Sequence, residues 1–109
     1  MRGDQLARQW LLIQRLAKSR AGVGLDELAD ELGFDSISIP EHIVMPQDLV
    51  PAMGRFWPDA FTAMSFVAGA TTHIQVNSSV IVMPYHHPVV FAKAVSTLDL
   101  LSGGRLKLT

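Results

Sequence analysis

Two side chains that can transfer protons, Glu41 and His42, follow a short strand pattern in the sequence. Residues 36–39 read Ser-Ile-Ser-Ile, which alternates with the period of two that indicates a strand, and Pro40 ends the pattern. A histidine can give and take a proton near neutral pH because its reference pKa is about 6.5. The pattern therefore predicts two proton-handling groups at the carboxyl end of a strand, where α/β enzymes place catalytic residues. The alternative is a loop histidine that only bonds to the backbone.

A polar segment interrupts the strongest strand pattern, which runs from Ile74 to Met83. Asn77-Ser78-Ser79 lies in its middle, and small polar residues weaken a core strand, so we expect a bulge there. An ordinary polar patch on an edge strand is the alternative. Pro84 ends the pattern, and the adjacent histidines His86 and His87 follow. Neighbouring histidines point in different directions, and no carboxylate is spaced to complete a zinc or iron site, so no metal site is predicted.

Two helices are predicted around this second strand. Asp59 is placed to cap the first helix, and Pro88 fits the first turn of the second. Their predicted core-facing residues are Phe61, Met64, Val67 and Ala68 in the first, and Val89, Ala92, Val95 and Leu98 in the second. Ser102-Gly103-Gly104 closes the second helix, and Leu106 and Leu108 begin a third strand. Residues 43–57, which include prolines and a glycine, are predicted to form a long loop.

The order strand, helix, strand, helix, strand over residues 34–109 predicts an α/β fold of right-handed βαβ units. It suits a part of a (βα)8 TIM barrel that contains about three parallel strands. A closed eight-stranded barrel takes about 250 residues, whereas this chain has 109. An open three-stranded sheet leaves two strand edges and much apolar surface uncovered, so we expect a homo-oligomer or another chain to cover them.

Residues 1–33 are predicted to form a separate helical segment with two helices. Apolar residues recur there at helical spacing, at Leu6, Trp10, Ile13 and Ala17 and again at Leu25, Leu28 and Leu32. The chain has no cysteine, which excludes a disulfide framework and favours a cytoplasmic location. No run approaches the roughly 20 apolar residues of a membrane span, so no membrane partner is expected.

The chain from about residue 30 to Thr109 resembles the luciferase-like monooxygenase superfamily, whose members are flavin- or deazaflavin-dependent (βα)8 barrels. The resemblance rests on four motifs in the family's order: GFDSISIPEH, WPDAF, TTHIQVNSSVIVMPYHHP and AKAVSTLDLLSGGRL. It implies a fragment of an oxidoreductase or monooxygenase that uses FMN or a deazaflavin coenzyme and acts on a small-molecule substrate.

The resemblance also implies roles for individual residues. His42 is expected to line the cofactor pocket and to handle the proton, and Glu41 is expected to tune or orient it, so both are candidate catalytic residues. The Ser79-Val80 pair matches a site where many members hold a non-prolyl cis peptide against the cofactor ring. Asn77 and Tyr85 are the remaining cofactor-binding candidates. The family's phosphate-binding elements lie later in the barrel.

The N-terminal phrase RGDQLARQW resembles a second family, the helix-turn-helix regulators that carry a WYL ligand-sensing domain. DNA recognition requires a second helix with basic and polar residues in the major groove. This chain instead continues after Gly33 into the first strand, so nucleic-acid binding is not expected. Two alternatives to catalysis stay open: a truncated or fused product that acts only as an oligomerising module, and a remnant of a DNA-binding regulator.

Overall fold

Three short parallel strands form the centre of the described structure, a computed structural model that describes Glu27 and residues 33–109. They are β1 (Ser36–Ile39), β2 (Gln75–Ser78) and β3 (Leu106–Lys107), arranged in the order β1-β2-β3. Both strand pairs are parallel. The predicted α/β class with three parallel strands is therefore confirmed. The two helices predicted for residues 1–33 lie almost entirely outside the described residues.

Three α-helices and one 3₁₀ turn connect the strands. They are α1 (Val50–Met53), α2 (Ala60–Ala70), the 3₁₀ turn (Met83–Tyr85) and α3 (Pro88–Leu101). The single turn of α1 lies within residues 43–57, which were predicted to be a loop throughout. In the described part of the chain, no helix is long and apolar enough to cross a membrane.

The second strand ends earlier than the sequence predicts. The prediction extended it to Met83, but β2 stops at Ser78, where the parallel register pairs Ile39 with Ser78. The last hydrogen bond between the two strands joins the Ser79 N–H to the Ile39 carbonyl at 2.9 Å. The paired part of β2 is therefore shorter than the apolar pattern in the sequence.

Helix α2 begins as the sequence predicts. The Asp59 carboxylate accepts hydrogen bonds from the Thr62 backbone N–H at 2.9 Å and from the Thr62 hydroxyl at 2.7 Å. This cap satisfies one of the N–H groups that a helix start leaves without a partner. The helix then buries Ala60, Met64, Val67 and Ala68.

The apolar core lies on one face of the sheet. Ile37 and Val76 are neighbours in the register and are both fully buried, and α2 packs against β1 and β2. Register neighbours in parallel strands share a face, so the alternate residues form a polar row on the other face. This row contains Ser38, Asn77 and Lys107, which pair side by side across the three strands.

The buried stripe of α3 differs from the predicted one. Phe91 and Leu98 are buried and Val95 is half-buried, whereas Val89 is 71% exposed and Ala92 is also exposed. Phe91, Val95 and Leu98 recur at helical spacing. The stripe begins at Phe91 because burial of its aromatic ring removes the largest apolar area from water. The prediction started the stripe two residues too early.

Gly103 and Gly104 close α3 as predicted, with positive φ angles of 70° and 79° that favour glycine. Large apolar side chains remain exposed on this helix, among them Val90, Leu100 and Leu101. The uncovered apolar surface that the sequence predicts is therefore present, while the homo-oligomer stays a prediction.

Candidate functional site

The segment after β2 is tied to both neighbouring strands at the carboxyl edge of the sheet. The Ser79 N–H donates to the Ile39 carbonyl and the Ile81 N–H donates to the Thr109 carbonyl, both at 2.9 Å. The Ser78 hydroxyl also accepts a hydrogen bond from the Thr109 N–H at 2.7 Å. These bonds hold the backbone on either side of Val80.

The Ser79-Val80 peptide bond is cis, the geometry that the family resemblance associates with this pair. The Val80 side chain is 56% exposed, and Ser79 is also exposed. The structure thus presents an apolar side chain at the sheet edge between two anchored residues. Contact between this pair and a cofactor ring stays a prediction.

Asn77 lies one residue before the end of β2, on the polar face of the sheet. Its side-chain oxygen Oδ1 is buried and has no hydrogen-bond partner among the described residues. Most buried polar atoms in native proteins have a partner, because leaving one unpaired costs about 1–3 kcal/mol. This oxygen is therefore suited to accept a hydrogen bond from a bound group.

His42 lies three residues beyond the end of β1 and contacts the long loop. Its ring meets the Trp57 ring edge-on, with centroids 4.5 Å apart and an interplanar angle of 66°. The Trp57 indole N–H donates to the Gly54 carbonyl at 3.2 Å. His42 is half-buried, so part of its surface at the carboxyl edge is accessible to a ligand.

Glu41 has a different partner from the one that the sequence suggested. Its side chain is only 1% exposed, and its Oε1 atom lies 2.7 Å from Nε2 of His86. Its Oε2 atom accepts a 2.6 Å hydrogen bond from the Val82 N–H. Within the described part of the chain, no hydrogen bond joins Glu41 to His42.

The structure singles out His86 in the segment after β2, whereas the sequence reasoning named Tyr85 there. The His86 ring stacks on Phe91 with centroids 4.6 Å apart and an interplanar angle of 28°. The available signal was the placement of a carboxylate directly after a buried strand, because such a group is rarely buried without a partner. The sequence alone could not say which of several histidines would be that partner.

Asp59 lies near this cluster and has a pKa below its usual range. The main causes are the hydrogen bonds from the Thr62 side chain and backbone, and the nearby His86 adds a smaller effect in the same direction.

Tyr85 is not brought together with the other candidates. It lies in the 3₁₀ turn and is 60% exposed. No hydrogen bond or ring contact of the described residues joins it to His42 or Asn77. Among the same residues, no three histidine, aspartate or glutamate side chains are grouped so that they could hold a metal ion.

A family model described as luciferase-like monooxygenase matches residues 6–109. The chain belongs to the luciferase-like monooxygenase family. The match begins well before residue 30, where the sequence motifs placed the start of the resemblance. The domain boundary at residue 33 and the likeness of residues 1–33 to WYL regulators stay predictions.

Two relatives align with most of this chain but are much longer than it is. The alkanal monooxygenase alpha chain of Photorhabdus luminescens is 31% identical over 85 residues, which are 78% of this chain and 22% of the relative. An F420-dependent glucose-6-phosphate dehydrogenase of Amycolatopsis mediterranei is 33% identical over 81 residues, or 73% of this chain and 23% of the relative. The chain thus spans less than a quarter of these proteins.

Two solved structures resemble the described fold. The monooxygenase RslO1 from Streptomyces bottropensis superimposes with a TM-score of 0.60 at 30% identity, over 74% of this chain and 23% of that one. The oxygenating constituent of 3,6-diketocamphane monooxygenase from Pseudomonas putida, in complex with FMN, also gives 0.60, at 25% identity over 73% of this chain and 20% of that one. The chain therefore has the fold of a partial TIM barrel of this family.

Proposed function

We propose that this chain supplies one part of the cofactor site of a flavin- or deazaflavin-dependent oxidoreductase that acts on a small molecule. The observation that carries the proposal is the unpaired, buried Oδ1 atom of Asn77, which lies next to the carboxyl edge that bears Val80 and His42. Family membership supports it, and so do the named functions of the relatives, which include FMN- and F420-dependent enzymes. A cytoplasmic location is part of the proposal and agrees with the absence of cysteine.

The residues present fit a flavin-type ring. Such a ring has an imide N–H that can donate to a carbonyl acceptor, and its faces are apolar enough to pack against an aliphatic side chain. Asn77 offers the acceptor, and Val80 offers an exposed aliphatic surface on an anchored backbone. When bound, the coenzyme would supply the electrons or the hydride for the reaction.

In this proposal the side chains of the chain bind and orient the ring and move one proton. Val80 packs on one face of the ring and excludes water from it. His42 holds or transfers a proton at an imidazole nitrogen, and the edge contact with Trp57 limits the orientations of its ring. Flavin and deazaflavin rings offer the same imide donor, so this site accepts either coenzyme class.

Replacement of Asn77 tests the proposal directly. We expect Asn77→Leu to weaken FMN and deazaflavin binding about tenfold, since one hydrogen bond of roughly 1.4 kcal/mol is lost. The free energy of unfolding without coenzyme should stay the same or rise, because the variant removes a buried acceptor that has no partner. Flavin fluorescence and absorbance titrations measure the affinity, and urea denaturation measures the stability.

Gln75→Leu is the matched control, because Gln75 is exposed on the same face of β2 at the opposite end of the strand. It should leave both affinities within about twofold of the wild type. Absence of saturable binding of either coenzyme at high micromolar concentration would refute the proposal. Equal losses of affinity in the two variants would refute the role of Asn77.

Self-association is a second candidate function that one observation favours. Val89, Leu100 and Leu101 on α3 are each at least 71% exposed, which is a large apolar area for a surface helix. An oligomer that covers this area and the strand edges would fit a non-catalytic module. Light scattering coupled to size-exclusion chromatography tests it, and a monomer at micromolar concentration would exclude it.

A further inference from the structure

The Glu41 carboxylate is buried at the carboxyl edge of the sheet and is held by two donors from one segment. A buried carboxylate is costly unless it is paired, and its two oxygens here receive the His86 Nε2 at 2.7 Å and the Val82 N–H at 2.6 Å. The two partners lie 41 and 45 residues further along the chain. Glu41 therefore links the end of β1 to the segment that follows β2.

We propose that His86 is a positioning residue for the cofactor site. His86 fixes the Glu41 carboxylate, and Glu41 in turn fixes the Val82 amide and the short segment that presents Val80. The proposal rests on the proposed function, which assigns Val80 to the cofactor. It also makes Glu41 a positioning residue rather than a catalytic one, because both of its oxygens are occupied by donors other than His42.

His86 is well placed for this task because its ring is itself held in place. One side of the ring stacks on Phe91 in the first turn of α3, and the side chain is only 20% exposed. A carboxylate only accepts hydrogen bonds, so the ring nitrogen Nε2 that faces Glu41 carries a hydrogen. His86 is therefore the donor and Glu41 the acceptor of this hydrogen bond.

The Glu41 bond is the third anchor of the segment after β2. The N–H groups of Ser79 and Ile81 already bond to the two neighbouring strands, and the N–H of Val82 bonds to Glu41. The residues of the third anchor, Glu41, Val82 and His86, are not members of the apolar core, although their neighbours Ile81 and Phe91 are. Loss of the His86 donor should therefore loosen residues 80–82 without unfolding the sheet.

Two variants of His86 separate the hydrogen bond from the packing. His86→Phe keeps a ring that can stack on Phe91 and removes the donor, whereas His86→Gln keeps an N–H donor and removes the ring. We expect His86→Phe to speed hydrogen exchange of the Val82 amide about tenfold and to weaken FMN binding about tenfold. His86→Gln should restore both values to within about threefold of the wild type.

A third measurement needs no variant. The nitrogen-15 NMR spectrum of the wild type should show a slowly exchanging Nε2–H signal from His86 with a through-space contact to Glu41. A rapidly exchanging signal with no such contact would overturn the proposal, even if a variant does not fold.

The outcomes of the proposal and of the proposed function can be told apart. If the wild type binds neither FMN nor a deazaflavin coenzyme, the proposed function fails, while Val82 exchange still decides whether His86 positions the segment. If Val82 exchange in His86→Phe equals that of the wild type, the positioning role is wrong whatever the affinity. If His86→Gln behaves like His86→Phe, the ring rather than the donor matters, and the proposal is also wrong.

Discussion

Replacement of Arg105 by lysine should lower the free energy of unfolding by about 2 kcal/mol, although the charge is kept. All five N–H donors of the guanidinium are used. Nε donates to the Ser102 carbonyl at 2.7 Å, Nη1 to the Thr71 hydroxyl at 2.7 Å and the Ile74 carbonyl at 3.0 Å, and Nη2 to the carbonyls of Ala68 at 2.8 Å and Thr71 at 2.9 Å.

The magnitude follows from the geometry of these acceptors. The Ala68 and Thr71 carbonyls belong to the end of α2, where carbonyls lack partners within the helix and where a cation is favoured. A hydrogen bond to a charged group contributes about 1.5–3 kcal/mol, but bonds that share one side chain do not add. We therefore expect a loss of about 3 kcal/mol for Arg105→Ala. Lysine has three donors on one nitrogen and cannot span the same acceptors, which gives the smaller loss of about 2 kcal/mol.

Urea denaturation followed by circular dichroism measures the change, and a melting temperature lower by about 10 °C should accompany it. Arg55→Lys is the control, because Arg55 is exposed in the loop before α2 and its variant should stay within about 0.5 kcal/mol of the wild type. If Arg105→Lys also lies within that margin, the five hydrogen bonds do not stabilise the fold as argued.

Two further predictions concern α2. The Asp59 pKa is lowered chiefly by the Thr62 hydrogen bonds, so the stabilisation by the carboxylate is present above its unfolded pKa and is lost as the pH falls through the folded pKa. The unfolding free energy of the wild type should therefore drop more between about pH 5 and pH 2 than that of Asp59→Asn. Urea denaturation at each pH measures both, and an equal drop in the two proteins would contradict this. Met64→Ala should lower the free energy of unfolding by about 3 kcal/mol because Met64 is fully buried. Phe66→Ala should change it by less than about 0.5 kcal/mol because Phe66 is 60% exposed. Similar urea midpoints for these two variants would contradict the observed orientation of α2.

Features that depend on neighbouring residues could be predicted from the sequence. The alternation of Ser36–Ile39 and the proline after it define β1, and the Asp59 cap lies three residues before the Thr62 amide that it binds. The two glycines after α3 supply the positive φ angles that its end requires. In each case the cause and the structure lie within one turn or one strand, so the local pattern was sufficient.

Features that depend on distant partners could not be predicted in this way. The buried face of α3 is set by where Phe91 meets the core. The pairing of Glu41 with His86 joins residues 45 positions apart. An acidic residue beside a histidine suggested a local pair, but the backbone turns after β1 and directs the Glu41 carboxylate to another segment.

The two ends of the sheet satisfy their polar groups differently, and this difference separates stability from binding. At the amino end of β3, every donor of Arg105 is used by the chain itself. Near the carboxyl end of β2, a buried oxygen of Asn77 has no partner among the described residues. Unpaired buried acceptors are rare, and the proposed function assigns this one to the coenzyme. Arg105→Lys should therefore reduce stability without changing FMN affinity in the folded protein, whereas Asn77→Leu should have the opposite pattern.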